Sequence, residues 1–526
     1  MPGNRDHEPL VIEEFGGWWQ RGDPESAPSD HFIVADNIQY FHSGVETRDG
    51  LTNYILDIRP TVKYLRIYNY VTQHGQTILA LSTGGNIYHI LGPGTPPVTP
   101  ILTIPAMEDF GFVAISGRAY ITPFKTYTNA QGEKYQLGIQ NEFLYVYNGD
   151  QTPARKAAGP GPTGPALGAA DDILGATDTG FHLIAVVYET DTGYFTSLGP
   201  EVFAAHDFTG VNQIRVFNIP ISPAAYVKKR HLVSTKAITS YNGDQTGYQF
   251  FFIPGGNVDD NTTTVKVVQY FDSDLIADAS HLIDNFSEIP AGIALNTYHS
   301  RLVMVGEYGT AETLVGLPPG ITDNRSIARL SFPGEPESIS KIDGLIVVPL
   351  DGKSLTNVQE FRDILYLFKK TRTFAYSDNN DEPVTWTEEV LDQGIGAPVH
   401  GIATVLDTGG VNTDFLIIVD WSGMMLFNGT YSQPEMSWKI EDFWRLLDRN
   451  SFHEIQIVND SINKKIWMTL PDPYRKMLLH ANYSNGMNAK DIRWARWIFD
   501  INAYTIALIE TDRLVIGTPG PNYPDA

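Results

Sequence analysis

The sequence predicts an all-β protein on three observations. Runs of roughly four to eight β-branched and aromatic residues recur along most of the chain, each bounded by Gly, Asn or Asp, which is the pattern of strands joined by tight turns. Several runs pair into hairpins of one form, an apolar strand, a tight turn and a second strand ending in an aromatic residue. One stretch, Ala157 to Ala170 (AAGPGPTGPALGAA), interrupts the series with Gly, Pro and Ala and no charge, the composition of a linker.

Taken in order, Met1 to Leu10 contains Asp6, His7 and Glu8 and leads into no apolar stretch of signal-peptide length, so no export signal is expected. Strands are expected at Thr77 to Leu81 and Asn86 to Ile90 across Gly84-Gly85, and at Phe143 to Tyr147 before Asn148-Gly149-Asp150. After the interruption come Phe181 to Glu189, Tyr194 to Ser197, Glu201 to Ala205, Gln213 to Phe217, Lys228 to Ser234, Tyr248 to Ile253 and Thr263 to Tyr270. About seven short strands in about 100 residues is the pattern of an immunoglobulin- or fibronectin-like β-sandwich. Asp272 to Asn285 leads back to the hairpin series. That series resumes with Leu302 to Val305, Ile364 to Lys369, Arg372 to Tyr376, Phe415 to Val419, Met424 to Phe427, Ile466 to Leu470 and Leu514 to Ile516.

The hairpins ILALSTGGNIYHI (Ile78 to Ile90), ILYLFKKTRTFAYS (Ile364 to Ser377) and FLIIVDWSGMMLFNG (Phe415 to Gly429) repeat one pattern. Spacings of about 40 to 60 residues, once the interruption is removed, fit about six or seven blades of a β-propeller. Stacked sandwiches are the alternative, because any antiparallel chain yields look-alike hairpins. The expected organisation is a propeller in two parts, 1–156 with an N-terminal arm and 278–526, a linker at 157–175 and an inserted sandwich at 176–277. One helix is expected in Lys439 to Asn450, where Ile440, Phe443, Trp444 and Leu447 share one face, packed as core across a propeller edge.

The 526 residues include 37 Lys and Arg against 61 Asp and Glu, a net charge of 37 − 61 = −24, and no cysteine. Without cysteine there is no disulfide scaffold, thiolate metal site, iron–sulfur cluster or cysteine nucleophile. The charge opposes a surface that grips DNA or anionic lipid by neutralising phosphate. The longest apolar runs, such as Leu183 to Tyr188, fall far short of the ~20 residues of a membrane helix.

Strings that look catalytic fail on spacing. Asp351-Gly352-Lys353-Ser354 ends like a phosphate loop, but Val347 stands where its first Gly belongs. His453-Glu454 opens like a zinc-protease helix, but Ile457 replaces the second ligand. Trp421-Ser422-Gly423 lacks the leading Gly of a nucleophile elbow, with Val419 in its place. The acidic turns Asp378-Asn379-Asn380-Asp381 and Asp259-Asp260-Asn261 have oxygen ligands for calcium but no later bidentate Glu, and such residues bond their own backbone. No catalytic, cofactor-binding or metal-ligating residue is therefore assigned, and no enzyme activity is expected.

Two stretches are more specific. Phe15-Gly16-Gly17, Asp23-Pro24, Pro28, Ala35-Asp36-Asn37-Ile38 and Gly44-Val45-Glu46-Thr47-Arg48-Asp49-Gly50 resemble the opening of many bacteriophage virion proteins. Arg329-Leu330-Ser331 with Pro333-Gly334-Glu335-Pro336-Glu337-Ser338, then Ile364 to Tyr376, Gly394-Ile395-Gly396-Ala397-Pro398 and Trp421 to Gly429 follow in an order similar to β-propeller tail nozzle or tail hub proteins of short-tailed phages. Val186 to Ser197 resembles the fibronectin-like insert such chains carry.

The resemblance implies a structural role in the virion, made in the host cytoplasm. It implies a ring of copies, usually six, below the portal and adaptor and beside other tail proteins, lining the duct through which the genome leaves. Six copies would carry 6 × −24 = −144, and an acidic wall would repel phosphate so that DNA slides without sticking. Solubility alone also accounts for the charge. A minor tail or receptor-contact protein of a phage, and a carbohydrate-active propeller enzyme, are the other readings.

Overall fold

The computed structural model describes residues 17–21, 28, 31–32, 34–41, 44–47, 51–52, 62–72, 75–94, 99–128, 132–163, 167–198, 203–243, 247–308, 324–348, 353–392, 394–406, 414–429, 436–486, 489–509 and 513–520. Among them seven small antiparallel sheets follow one another around an axis, the all-β propeller expected. The first blade orders Tyr64–Thr72, Gly75–Ser82, Asn86–Ile90 and Leu102–Thr103. The second is built on the long strand Arg118–Thr128, flanked by Asp109–Ile115 on one side and by Lys134–Gly138 and Tyr145–Tyr147 on the other. Blades three and four begin at Ala294–Tyr298 and Leu355–Phe361, and blades five and six at Ile402–Val405 and Ile457–Asp460. Blade seven pairs Thr505–Ile509 with Arg513–Gly517.

The first strands of most neighbouring blades stand side by side around the axis, and the last closes on the first. Side chains stitch them together. Asn296 donates to Val358 O at 3.2 Å, Asn357 to Pro398 O at 2.7 Å, and Asn459 to Thr404 O at 3.0 Å. The chain ends meet where Thr505 Oγ1 accepts from Ile67 N at 2.9 Å and Lys63 bridges Pro519. The blades approach so closely that a Cβ at Gly111 would lie 2.3 Å from Ile293 O. The three look-alike hairpins turn out to be the second and third strands of blades one, four and five. Those strands are buried on both faces between neighbouring blades, which is why they read as continuous apolar runs.

Between blades two and three, seven strands form two sheets. One orders Gly168–Thr177, Asn212–Phe217 and Val265–Val268; the other orders Phe203–Phe208, Gly180–Thr190, Val227–Ser234 and Phe251–Val258. Ile184, Val186, Phe208, Ile214, Val216 and Leu232 fill the space between them. The number of strands matches the expectation, but their identities differ at two places. Tyr194 to Ser197 makes only a bridge, Phe195 to Glu189, and the first strand begins inside the expected linker and ends at Thr177. Gly168–Thr177 is half-buried or exposed at every residue but Thr177, so it shows no apolar alternation by which to be found. Ala157 and Ala158 of the same stretch are fully buried beside Phe286 and Ile289. The far face of the four-stranded sheet is covered by Ala279 and Leu282.

The helix expected over Lys439 to Asn450 is cut short. Only Glu441–Trp444 is α-helical, preceded by the 3-10 turn Trp438–Ile440 and followed by a second, Arg449–Glu454, capped where Asp448 accepts from Asn450 N. An Asp whose side chain binds the backbone two residues on competes with helix continuation. Its apolar face is still core: Ile440, Phe443, Trp444 and Leu447 are buried. The N-terminal arm lies along blade six. Trp18 is wholly buried, Asp36 pairs with Arg496, and Ile38 O accepts from His480 at 3.0 Å and from Trp497 at 3.1 Å.

Candidate functional site

The inner strands line two adjoining cavities of about 320 and 390 Å³, which share Tyr68, Ile402 and Gln456 to Val458 as lining. Beside them polar groups converge on one hub. Arg66 sits on the first strand of blade one, in YLRIYNYVT, and is 3% exposed. It grips Asp109 with Nε and Nη2, at 3.0 and 2.6 Å, and donates through Nη1 to Gln456 Oε1 at 2.9 Å. Gln456 Oε1 also accepts from Thr505 Oγ1 at 2.7 Å and Ile506 N at 3.2 Å. His400 Nε2 lies 3.0 Å from Asp109 Oδ2, and Nδ1 lies 3.0 Å from the Tyr68 hydroxyl. Five chain segments from blades one, two, five, six and seven thus meet on one buried ion pair.

Tyr68, His400 and Asp109 have the order of a nucleophile, a base and an orienting acid, but the electrostatics differ from a catalytic relay. Burial favours the neutral form of Asp109, yet the Arg66 guanidinium and His400 together hold its carboxyl below the usual range. Burial, with Arg66 adding to it, pushes the His400 imidazole down. Burial drives the Tyr68 phenol far up, away from the phenolate. The Asp109 charge is spent on Arg66, and the Tyr68 proton has two acceptors in reach, His400 Nδ1 and Phe110 O at 3.1 Å. The arrangement holds blades together and leaves its base poorly able to take a proton.

A second buried cluster joins the sandwich to the propeller. Glu337, on the fourth strand of blade three, has a fully buried side chain. It pairs with Arg155 Nη1 at 3.0 Å and accepts from Thr192 Oγ1 at 2.6 Å and Ala158 N at 2.8 Å. Thr192 and Asp191 are in the turn after Gly180–Thr190 of the sandwich. Asp191 pairs with Arg155 at 2.7 Å, and Thr192 O accepts from Arg118 at 3.0 Å. The Arg155 guanidinium also lies 4.7 Å from the Tyr226 ring of the sandwich.

The strings rejected on spacing have structural duties where they are described. Asp351 and Gly352 lie outside the described residues, and Lys353 donates to Thr371 at 3.1 Å. Glu454 pairs with Arg475 at 2.5 Å, and burial pushes His453 down to about 4. Ser422 turns back to Asp420 Oδ1 at 2.5 Å in the tight turn of blade five. Asp378 accepts from Asn380 N, and Asp260 holds Arg230, Thr262 and Thr263. The hub and the junction escaped the sequence reading because their members are far apart in the chain, Arg66 and Asp109 by 43 residues and Asp109 and His400 by 291. The available hint was a charged residue inside an apolar strand run, as at Arg66.

No family profile matches the chain, and no curated protein matches it. Similar solved structures include Kluyveromyces lactis Hsv2, with 9% identity and a TM-score of 0.29 over 83% of this chain and 98% of that one. Apo AztD from Citrobacter koseri gives 10% identity and a TM-score of 0.23 over 65% and 99% of the two chains. The phage phi92 endosialidase gives 10% identity and a TM-score of 0.23 over 87% of this chain and 62% of the other. Likenesses this distant carry no argument about activity. Among the described residues no helix is long and apolar enough to cross a membrane.

Proposed function

We propose that the chain is a non-enzymatic structural subunit of a bacteriophage tail, forming a ring as nozzle or hub and lining the genome-ejection channel with an acidic wall. One observation supports this reading above others: the phage-like motifs coincide with the joints of the fold. In the segment Ser331 to Glu337, the last residue is the buried carboxylate of the junction. From the insert motif, Thr192 donates to that carboxylate and Asp191 pairs with its Arg155 partner. In Gly394 to Pro398, Gly396 N donates to Asp420 at 3.1 Å and Pro398 O accepts from Asn357, joining blades four and five. Asp36 and Asn37 of the opening motif fasten the arm to Arg496. Motifs that make joints are what two chains must share to assemble alike.

In this reading the ring contacts its own copies, the portal or adaptor and other tail proteins, and DNA passes as cargo. The test is negative-stain imaging of the purified protein together with cryo-electron microscopy of the parent virion. Closed rings with matching tail density are the expected result. A monomer absent from the tail, or one that hydrolyses polysaccharide, overturns the proposal.

A further inference from the structure

Two opposed turns meet at the seam between blades three and four. The first two strands of blade three, Ala294–Tyr298 and Arg301–Val305, are joined through His299 and Ser300, with φ of 44° and 62°. In blade four, Leu355–Phe361 and Ile364–Lys369 are joined through Arg362 and Asp363, with φ of 51° and 66°. Positive φ at both central residues suits the right-handed twist of a hairpin, but it costs a non-glycine residue roughly 1–2 kcal/mol. At the first turn it coincides with a specific set of bonds. The His299 ring stacks on Tyr298, centroids 4.1 Å apart at 13°. Its Nε2 is 2.5 Å from Asp363 Oδ1 and its Nδ1 is 2.9 Å from Asp378 Oδ2. Tyr298 completes the tie, donating to Asp363 O and accepting from Asp378 N, both at 3.2 Å.

An ionised carboxylate only accepts hydrogen bonds, so both bonds can be made together only when both ring nitrogens carry hydrogen. We propose that His299 is a proton-dependent latch on this seam, closed as the imidazolium and released on one side when it becomes neutral. The surrounding charges favour the closed form. Besides Asp363 and Asp378, Glu360 acts on Tyr298, and Asp343 and Asp378 act on Arg301. Arg362 is turned away to Asn428 O and Asp414 O. The hydrogen bonds to Asp363 and then Asp378 raise the proton affinity of His299 above its ordinary value. A raised value in the folded state means that the stabilisation is complete below about pH 6.5 and is lost as pH climbs through the raised value. Alkali, and not acid, opens the latch.

The test is a pH titration of the full chain labelled with ¹³C-histidine, following ring Cε1–H signals by NMR, with His299 assigned from His299→Gln. The expected midpoint lies above 6.5 and falls in both Asp363→Asn and Asp378→Asn. The difference in melting temperature between the native chain and His299→Gln should be largest near pH 6 and smaller by pH 9. A midpoint at or below 6.5, or a difference that does not vary with pH, overturns the proposal. Should His299→Gln not fold, Asp363→Asn provides the assignment, since the Asp363 side chain is 82% exposed.

Discussion

The axial hub and the sandwich junction are both built on a buried arginine–carboxylate pair, yet they hold different things. At the hub, Arg66 and Asp109 are surrounded by titratable or amide groups, His400, Tyr68 and Gln456, each from a different turn of the ring. At the junction, the remaining capacity of Glu337 is filled by a hydroxyl and a backbone N–H, neither of which titrates in water's ordinary range. The hub is therefore sensitive to proton concentration and shared by five of the seven blades. The junction is closed and local. The lesson is that equal pairwise chemistry yields unequal consequences, according to how many chain segments depend on it.

Removing one partner of the hub pair should have the largest effect. Asp109→Ala leaves Arg66 charged and uncompensated, and a loss of about 3–5 kcal/mol is expected in urea unfolding. A loss below about 1 kcal/mol would show that the ring does not depend on the hub. Glu337→Ala should cost about 2–4 kcal/mol at the junction, since it leaves the Ala158 N–H without its acceptor and Arg155 with Asp191 alone. Here the expected signature is a second calorimetric transition, as the sandwich comes loose from an intact ring. One unsplit transition would place the junction in the same cooperative unit as the hub.

Acid should separate the two regions further. Burial lowers His400 and pushes His453 to about 4, both beside the Arg66–Asp109 pair. A lowered value in the folded state means that stability is whole above about pH 6.5 and is lost as pH falls toward the folded value. A decline of roughly 1–3 kcal/mol between pH 6.5 and 4 is expected, smaller in His453→Phe and unchanged in slope in Glu337→Ala. The smallest effect on the ring should come from removing the sandwich. Replacing Gly164 to Ile283 by a short Gly-Ser linker should preserve the β signal in circular dichroism. A cut ending at Asp272 would leave Leu275, Ala279 and Leu282, which pack on the sandwich, without their cover.

Much of this architecture is legible along the chain. The hairpins of blades one, four and five announced themselves because strands buried on both faces must be apolar throughout. The sandwich was visible for the same reason, since Leu183 to Val187 is buried on both sides of its sheet. Gly168–Thr177 was hidden because an edge strand with only one buried residue needs no apolar pattern. The helix at Lys439 was over-read, because the periodicity that packs Ile440, Phe443 and Trp444 into the core does not reveal where Asp448 will turn the backbone.

Composition and local pattern by themselves determined an all-β, acidic, cysteine-free chain of repeated hairpins with an insertion. These properties follow from burial and turn chemistry acting over a few residues. Only the tertiary structure decided that the described residues form seven blades, that Arg66 meets Asp109, His400 and Gln456, that Glu337 receives the sandwich, and that His299 bridges two carboxylates. Such contacts are set by closing the ring, which brings together groups dozens to hundreds of residues apart, and no local pattern encodes that closure.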